Sequence, residues 1–312
     1  FSAVAYYFGK EIHHELNIPV GLIHSSWGGS VAEAWTRVEA LRADLILRPI
    51  VEDLEKLKAV YPQARKEYAL QAAEVAKAQK EGRTVPFLLS PRGPGERDWP
   101  SGLWNAMIAP MVPYAIRGVV WYQGESNSVR AWQYRALFPA MIRDWRKAWG
   151  QGDFPFCFVQ LANWRTHTVP VEGTWGSWPE LREAQLMALS AVRNTAMAVA
   201  VAIGDSTNIH PNNKWDVGHR LALGALKTAY GRKSVFSGPL YKSMSRKGNT
   251  VVLRFEHAAD YLKTPGGGPL TGFMIAGEDR EFFPADAKIE GKEIIVRSGR
   301  VEKPVAVRYG WD

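Results

Sequence analysis

Four short apolar runs constrain this chain most: residues 19–24, 117–122, 156–161 and 196–203, each bounded by Gly, Pro or polar clusters. They are continuous rather than alternating in character, which predicts strands covered on both faces, as in a parallel sheet. Parallel neighbours need long crossovers, and apolar residues at helical spacing fill the gaps over residues 3–16, 130–148 and 180–193. The last of these has a start signal at Ser177-Trp-Pro-Glu. Strand and helix in alternation predict an α/β fold with a doubly wound parallel sheet.

Two departures from that alternation set the domain plan. A charged helical insertion, about residues 38–90, separates the first two runs and ends in Pro91-Arg-Gly-Pro-Gly95; its span 38–81 reads as a helical hairpin, with the Lys/Glu-rich stretch 67–80 as a solvated face. After Gly231 come short strand-like runs at 250–256, 272–277, 288–297 and 305–309. The expected plan is an α/β domain over 1–230 and a small all-β appendage over 231–312. The chain begins inside a helical pattern with no N-cap in view and stops at Gly310-Trp-Asp312, so both ends read as cut.

Charge and composition narrow the partners. The net charge of +8 is dispersed, with no run of five like charges, which argues against nucleic acid. No apolar run approaches the roughly 20 residues of a membrane span, and Phe-Ser-Ala-Val at the start lacks a basic leader. The single cysteine, Cys157, lies in Phe154-Pro-Phe-Cys-Phe-Val159, reads as a packing residue and excludes an internal disulfide. Thirteen tryptophans are either core anchors or a sugar-stacking platform; Trp27, Trp35, Trp121, Trp164, Trp175 and Trp178 sit beside polar turns.

In open α/β sheets ligands bind beyond the carboxyl ends of the strands. Here those ends are Ser25-Ser-Trp-Gly-Gly-Ser30, Gln123-Gly-Glu-Ser-Asn127, Ala162-Asn163 and Gly204-Asp-Ser-Thr-Asn-Ile-His-Pro211. Ser, Gly, Gln, Asn, Asp and His are the vocabulary of acyl transfer. A hydroxyl attacks an ester carbonyl, histidine relays the proton, an acid orients the imidazole, and glycine N–H groups approach the oxyanion. Metal chemistry has no support, because neither His-Glu-x-x-His nor paired cysteines occur and His13-His14 diverge on a helix.

Three blocks carry a family resemblance: Gly21-Leu-Ile-His-Ser-Ser-Trp-Gly-Gly-Ser-Val-Ala-Glu-Ala-Trp35; Leu103-Trp-Asn-Ala-Met-Ile-Ala-Pro-Met-Val-Pro-Tyr114 with Gly118-Val-Val-Trp-Tyr-Gln-Gly-Glu-Ser-Asn127; and Ile209-His-Pro-Asn-Asn-Lys214. Together they resemble the sialate O-acetylesterases over nearly the whole chain. The resemblance implies an SGNH-type, flavodoxin-like hydrolase fold and removal of acetyl esters from sugar hydroxyls, sialic acid foremost. It also implies no cofactor, an O-acetylated carbohydrate as partner, and a secreted, periplasmic or lysosomal setting. His210 matches the catalytic histidine, Gly28 and Gly29 the oxyanion glycines, and Gln123, Gly124, Glu125 and Asn127 the neighbouring block, with Gln123 favoured as a side-chain donor. The family's nucleophile sits in a Gly-Gln-Ser-Asn block on an earlier strand; residues 1–312 contain no such block, so the resemblance implies a serine upstream.

Plainer roles compete at several positions. Asp205 is the nearest acid to His210 and serves either as its orienter or as a turn residue. Glu125 reads as a loop-holding carboxylate, and Ser25, Ser26, Ser30, Ser126 and Ser206 as turn or capping residues. His24 is expected to pack beneath Trp27. The alternatives to a sialate esterase are an acetylesterase of xylan-like polysaccharides and a noncatalytic sugar-binding protein on the same scaffold.

Overall fold

A computed structural model of the chain describes residues 1–85, 88, 90–164, 178–258 and 261–311. Its helices are α1 (Ala3–Leu16), α2 (Val38–Ala43), α3 (Leu54–Lys80), α4 (Ala131–Trp149), α5 (Trp178–Ala191) and α6 (Lys214–Thr228). Strands β1 (Val119–Trp121), β2 (Phe156–Gln160) and β3 (Thr195–Val199) make a parallel sheet in the order β1-β2-β3. The remaining strands are antiparallel: β4 (Leu240–Lys247), β5 (Thr250–Glu256), β6 (Phe273–Ala276), β7 (Phe282–Pro284), β8 (Asp286–Glu290), β9 (Glu293–Arg297) and β10 (Ala306–Tyr309). They form sheets ordered β4-β5-β9-β8 and β10-β6-β7. The fold is thus mixed α/β. Among the described residues no helix is long and apolar enough to cross a membrane.

The chain divides into two compact units. The first comprises Phe1–Leu22, Cys157–Thr174 and Thr195–Asp312, the second Ile23–Phe156 and Trp175–Asn194. In the second, α4 turns Tyr134, Leu137, Phe138, Met141, Ile142 and Trp145 inward. Trp145 lies edge-on to Trp121 at 5.8 Å, and Trp121 edge-on to Trp35 at 5.9 Å, which settles the core role for these three indoles. Trp27 is 53% exposed, and Trp175 falls outside the described residues. In the first unit α6 packs on α1 and β3, and a separate cluster around Val251, Leu253, Phe273, Ile275, Ile294 and Val296 holds the antiparallel strands.

Several expectations need correction. Residues 19–24 form no strand, and Ile23 is 54% exposed. A β-prone run becomes a strand only when a neighbouring strand completes its ladder. The start does carry a cap: Ser2 Oγ accepts the Ala5 N–H at 3.2 Å. The expected helical hairpin is instead short α2 followed by the single 27-residue α3, because the chain breaks at 44–53 and then runs through strong helix formers. The run 288–297 splits into the hairpin β8–β9, while the run 196–203 ends at Val199 and tightens into a 3₁₀ turn at Val201–Ile203. Sequence pattern missed β4 and β7. Lys- and Ser-rich β4 has little strand propensity and is recruited by pairing with β5 across the turn at 248–249.

Candidate functional site

In the second unit two loops predicted to be chemical are joined by direct bonds. Gly29 has φ of 72°, a left-handed conformation that a side chain resists, and it lies exposed beside exposed Gly28. The following Ser30 is buried, donating to Trp27 O at 2.7 Å and accepting from Trp35 Nε1 at 2.9 Å; it staples the turn and is not a free nucleophile. Across from it, Ser126 Oγ donates to Gly29 O at 2.8 Å. The glycine turn is therefore held from both sides while Gly28 and Gly29 themselves stay exposed.

Beneath it lies a buried polar network. Gln123 Nε2 donates to Ser30 O at 3.0 Å and to Asn127 Oδ1 at 2.7 Å, and its Oε1 accepts from Tyr134 Oη at 3.1 Å. Both protons of that amide are thereby committed to the scaffold rather than turned toward a ligand. Asn127, 1% exposed, accepts from Ala32 N at 2.9 Å and donates to Glu33 Oε2 at 2.9 Å. Arg130 completes the network through a salt bridge to Glu33, and Gln185 of α5 donates to Gln123 O at 3.0 Å. Burial and the Glu125 carboxylate push the Tyr122 phenol up to about 12, and burial drives Tyr134 upward as well. Glu125 is half-buried at the start of the 3₁₀ turn Glu125–Arg130, after buried Gly124.

Two expected serines and a histidine also lie here. Ser25 Oγ donates to Met107 O at 3.4 Å, and Ser26 Oγ is 2.7 Å from His24 Nε2. His24 and Trp27 are both exposed, so the expected burial of His24 beneath Trp27 does not occur.

In the first unit the loop after β3 carries the other expected residues. Asn163 Oδ1 accepts the Gly204 N–H at 3.0 Å, and a Cβ on Gly204 would stand 2.1 Å from Asn163 O, so only glycine fits. Asp205 Oδ1 accepts from Thr207 Oγ1 at 2.7 Å and Thr207 N at 2.8 Å, which hold its carboxyl below the usual range. Asn208 Oδ1 accepts the His210 N–H at 2.9 Å and leaves the imidazole exposed. Among the described residues no hydrogen bond joins Asp205 to the His210 ring. Asp205 shapes this loop as an Asx turn.

Gly28, Gly29, Gln123, Gly124, Glu125 and Asn127 thus fall in one unit, and Asp205 and His210 in the other. Sequence reading missed Glu33, Arg130, Tyr134 and Gln185. Glu33 stood inside a quoted block, and an acid flanked by Ala and Trp in an otherwise small and apolar stretch was its signal. Nothing local distinguishes the other three. Among the described residues no group of three or more His, Cys, Asp or Glu is arranged to hold a metal.

Residues 94–227 match the model of a carbohydrate esterase family described as sialic acid-specific acetylesterase. This stretch contains Gln123–Asn127, Asp205 and His210. The chain is 36% identical to the sialate O-acetylesterase of Mus musculus, over 99% of this chain and 58% of that protein. Over those residues it is similar to this carbohydrate esterase family. The Homo sapiens sialate O-acetylesterase is 35% identical over 77% of this chain and 41% of its own length. The crystal structure of a carbohydrate acetylesterase from Xanthomonas citri superposes with a TM-score of 0.79 at 38% identity, covering all of this chain and 60% of that one. The chain thus spans about half the length of the relatives it matches. Outside the matched stretch, Gly28 and Gly29 join the family's block through the Ser126 bond to Gly29.

Proposed function

We propose that this chain is the greater part of a carbohydrate O-acetylesterase of the SGNH type that hydrolyses acetyl esters of sugar hydroxyls, sialic acid in particular. The observation that carries the reading is the exposed Gly28-Gly29 turn, anchored by Ser126 and underpinned by Gln123 and Asn127, in a chain 36% identical to a sialate O-acetylesterase. Gly28 and Gly29 N–H groups stabilise the oxyanion that forms when a serine Oγ adds to the acetyl carbonyl. His210 takes the serine proton and returns it to the departing sugar oxygen; water then attacks the acyl-enzyme by the same relay and acetate leaves. Gln123 and Asn127 act as scaffold, and Asp205 acts by holding the His210 loop. The serine belongs to a Gly-Gln-Ser-Asn block that residues 1–312 do not contain. The same proposal treats residues 231–312 as a small β-rich domain appended to 1–230, and places the protein outside the cytoplasm.

The test is acetate release from O-acetylated sialic acid and from an aryl acetate, using residues 1–312 and the chain extended by its upstream coding sequence. Turnover confined to the extended form, and reduced at least about 1,000-fold by His210→Ala, is expected. Turnover by residues 1–312 alone would place the nucleophile among the internal serines, and an extended form inert on both esters would overturn the esterase reading.

A further inference from the structure

Arg97 lies against the glycine turn, in the same unit. A methyl group built on Gly29 would meet Arg97 Nη1 at 3.0 Å and Cζ at 3.5 Å, so the guanidinium rests directly over that residue. Its Nε and Nη2 each donate to the Asp98 carboxylate at 3.1 Å. Nη1, with two N–H groups, makes no hydrogen bond among the described residues. The side chain is 44% exposed and reaches solvent beside the exposed Gly28-Gly29 turn. Asp98 offsets part of the charge, but it also fixes two of the three nitrogens and so aims the third.

A cation held at the rim of an oxyanion turn has little use for a neutral acetylated sugar, whose hydroxyls are served as well by neutral donors. It suits a sugar acid, whose carboxylate oxygens accept charge-assisted N–H bonds. We propose that Arg97 is the specificity-determining residue of this site and selects substrates that carry a carboxylate close to the acetyl ester. The assignment rests on the acetylesterase reading and narrows it. Asp98 is the positioning residue: it holds the fork so that Nη1 stands over Gly29 without reorganising when the substrate arrives.

The experiment uses the full-length encoded protein and three substrates, with acetate release as readout: O-acetylated sialic acid, the same sugar with its carboxylate methylated, and O-acetylated xylose. The wild type is expected to prefer the acid over its methyl ester by on the order of 10- to 100-fold in kcat/KM. Arg97→Gln collapses that ratio to about 1, with the loss carried by KM, and Arg97→Lys restores part of it because an ammonium keeps the charge without the fork. Two results overturn the proposal: a wild-type ratio near 1, or equal losses in kcat on all three substrates in Arg97→Gln, which would make Arg97 a general contributor to the turn. The urea midpoint of Arg97→Gln matching wild type ensures that such losses do not reflect unfolding. Failure of the wild type to release acetate from any of the three is a different outcome, since it removes the esterase reading itself and the assignment with it.

Discussion

At Gly29 the proposed chemistry falls to the backbone, and the support for it is the company that residue keeps. Its φ of 72° strains any side chain, its carbonyl is bonded by Ser126, and a Cβ would meet the Arg97 guanidinium at 3.0 Å and make it give way. Gly29→Ala places a Cβ in a left-handed residue and against Arg97 Nη1. A stability loss of about 1–2 kcal/mol follows from the conformational strain. On the proposed mechanism the larger effect is on turnover, because the N–H groups assigned to the oxyanion rotate with the turn: kcat of the full-length protein falls on the order of 100-fold. A variant with a lowered urea midpoint but wild-type kcat would show that the turn only braces the loop. Glycine pairs and an Ile-His-Pro loop can be seen in a string, since the proposed chemistry calls for those types. That Gln123 spends both amide protons on Ser30 and Asn127 cannot be seen there, because the acceptors lie 93 and 4 residues away and only the fold orients them.

Elements hold this site through buried side chains that bond both backbone and one another. Arg146 on α4, 5% exposed, donates to Phe154 O at 3.0 and 2.7 Å, to Arg193 O at 2.9 Å and to Asn194 O at 3.1 Å. One planar fork thereby fastens the approaches to β2 and β3 to the helix that also carries Tyr134. Asp144 on the same helix accepts from Arg37 N at 3.0 Å and Arg37 Nε at 2.8 Å, fixing the segment just after the Glu33 turn. Arg146→Ala takes a donor from the carbonyls of Phe154, Arg193 and Asn194, the last of which keeps the Phe156 N–H, and removes packed methylenes, which costs about 3–5 kcal/mol. Arg146→Lys recovers less than half of that, since a single ammonium cannot span the same carbonyls. Urea unfolding of the three proteins measures both; a cost for Arg146→Ala under about 1 kcal/mol would mean the carbonyls find other donors. An arginine in a helix reads from sequence as a surface residue, and nothing short of the packed structure reveals its partners.

For the molecule as a whole, titration reports which groups the fold has taken out of water. Cys157 is 2% exposed in β2, its Sγ 3.7 Å from Thr228 Oγ1, and burial pushes the thiol up to about 11. Tyr122 is pushed up to about 12. Each folded-state value lies above its unfolded one, so each contribution is complete below the unfolded pKa and is lost as pH rises through the folded value. Stability therefore declines from about pH 9 to about pH 12, and the Cys157 share amounts to roughly 3 kcal/mol by pH 11. Cys157→Ala is expected to be less stable at pH 8, where it lacks the packed sulfur, yet to lose less than wild type between pH 8 and 11. Parallel losses in the two proteins would show that the thiol already ionises freely in the folded state.

The sequence by itself determined the class of fold and the residue types of the site. Continuous apolar runs predict a covered sheet, helical spacing supplies its covers, and Gly-Gly, Gln-Gly-Glu-Ser-Asn and Ile-His-Pro are the residue types on which the acyl-transfer proposal rests. Only the tertiary structure decided that residues 19–24 form no strand, that β4 forms despite poor propensity, and that Glu33, Arg130, Tyr134 and Gln185 support the glycine turn. It alone placed Arg97 over Gly29. The reason is common to all of these: strand pairing, burial and side-chain bonding are set by neighbours far away in the chain, while periodicity and motif are set by neighbours within it.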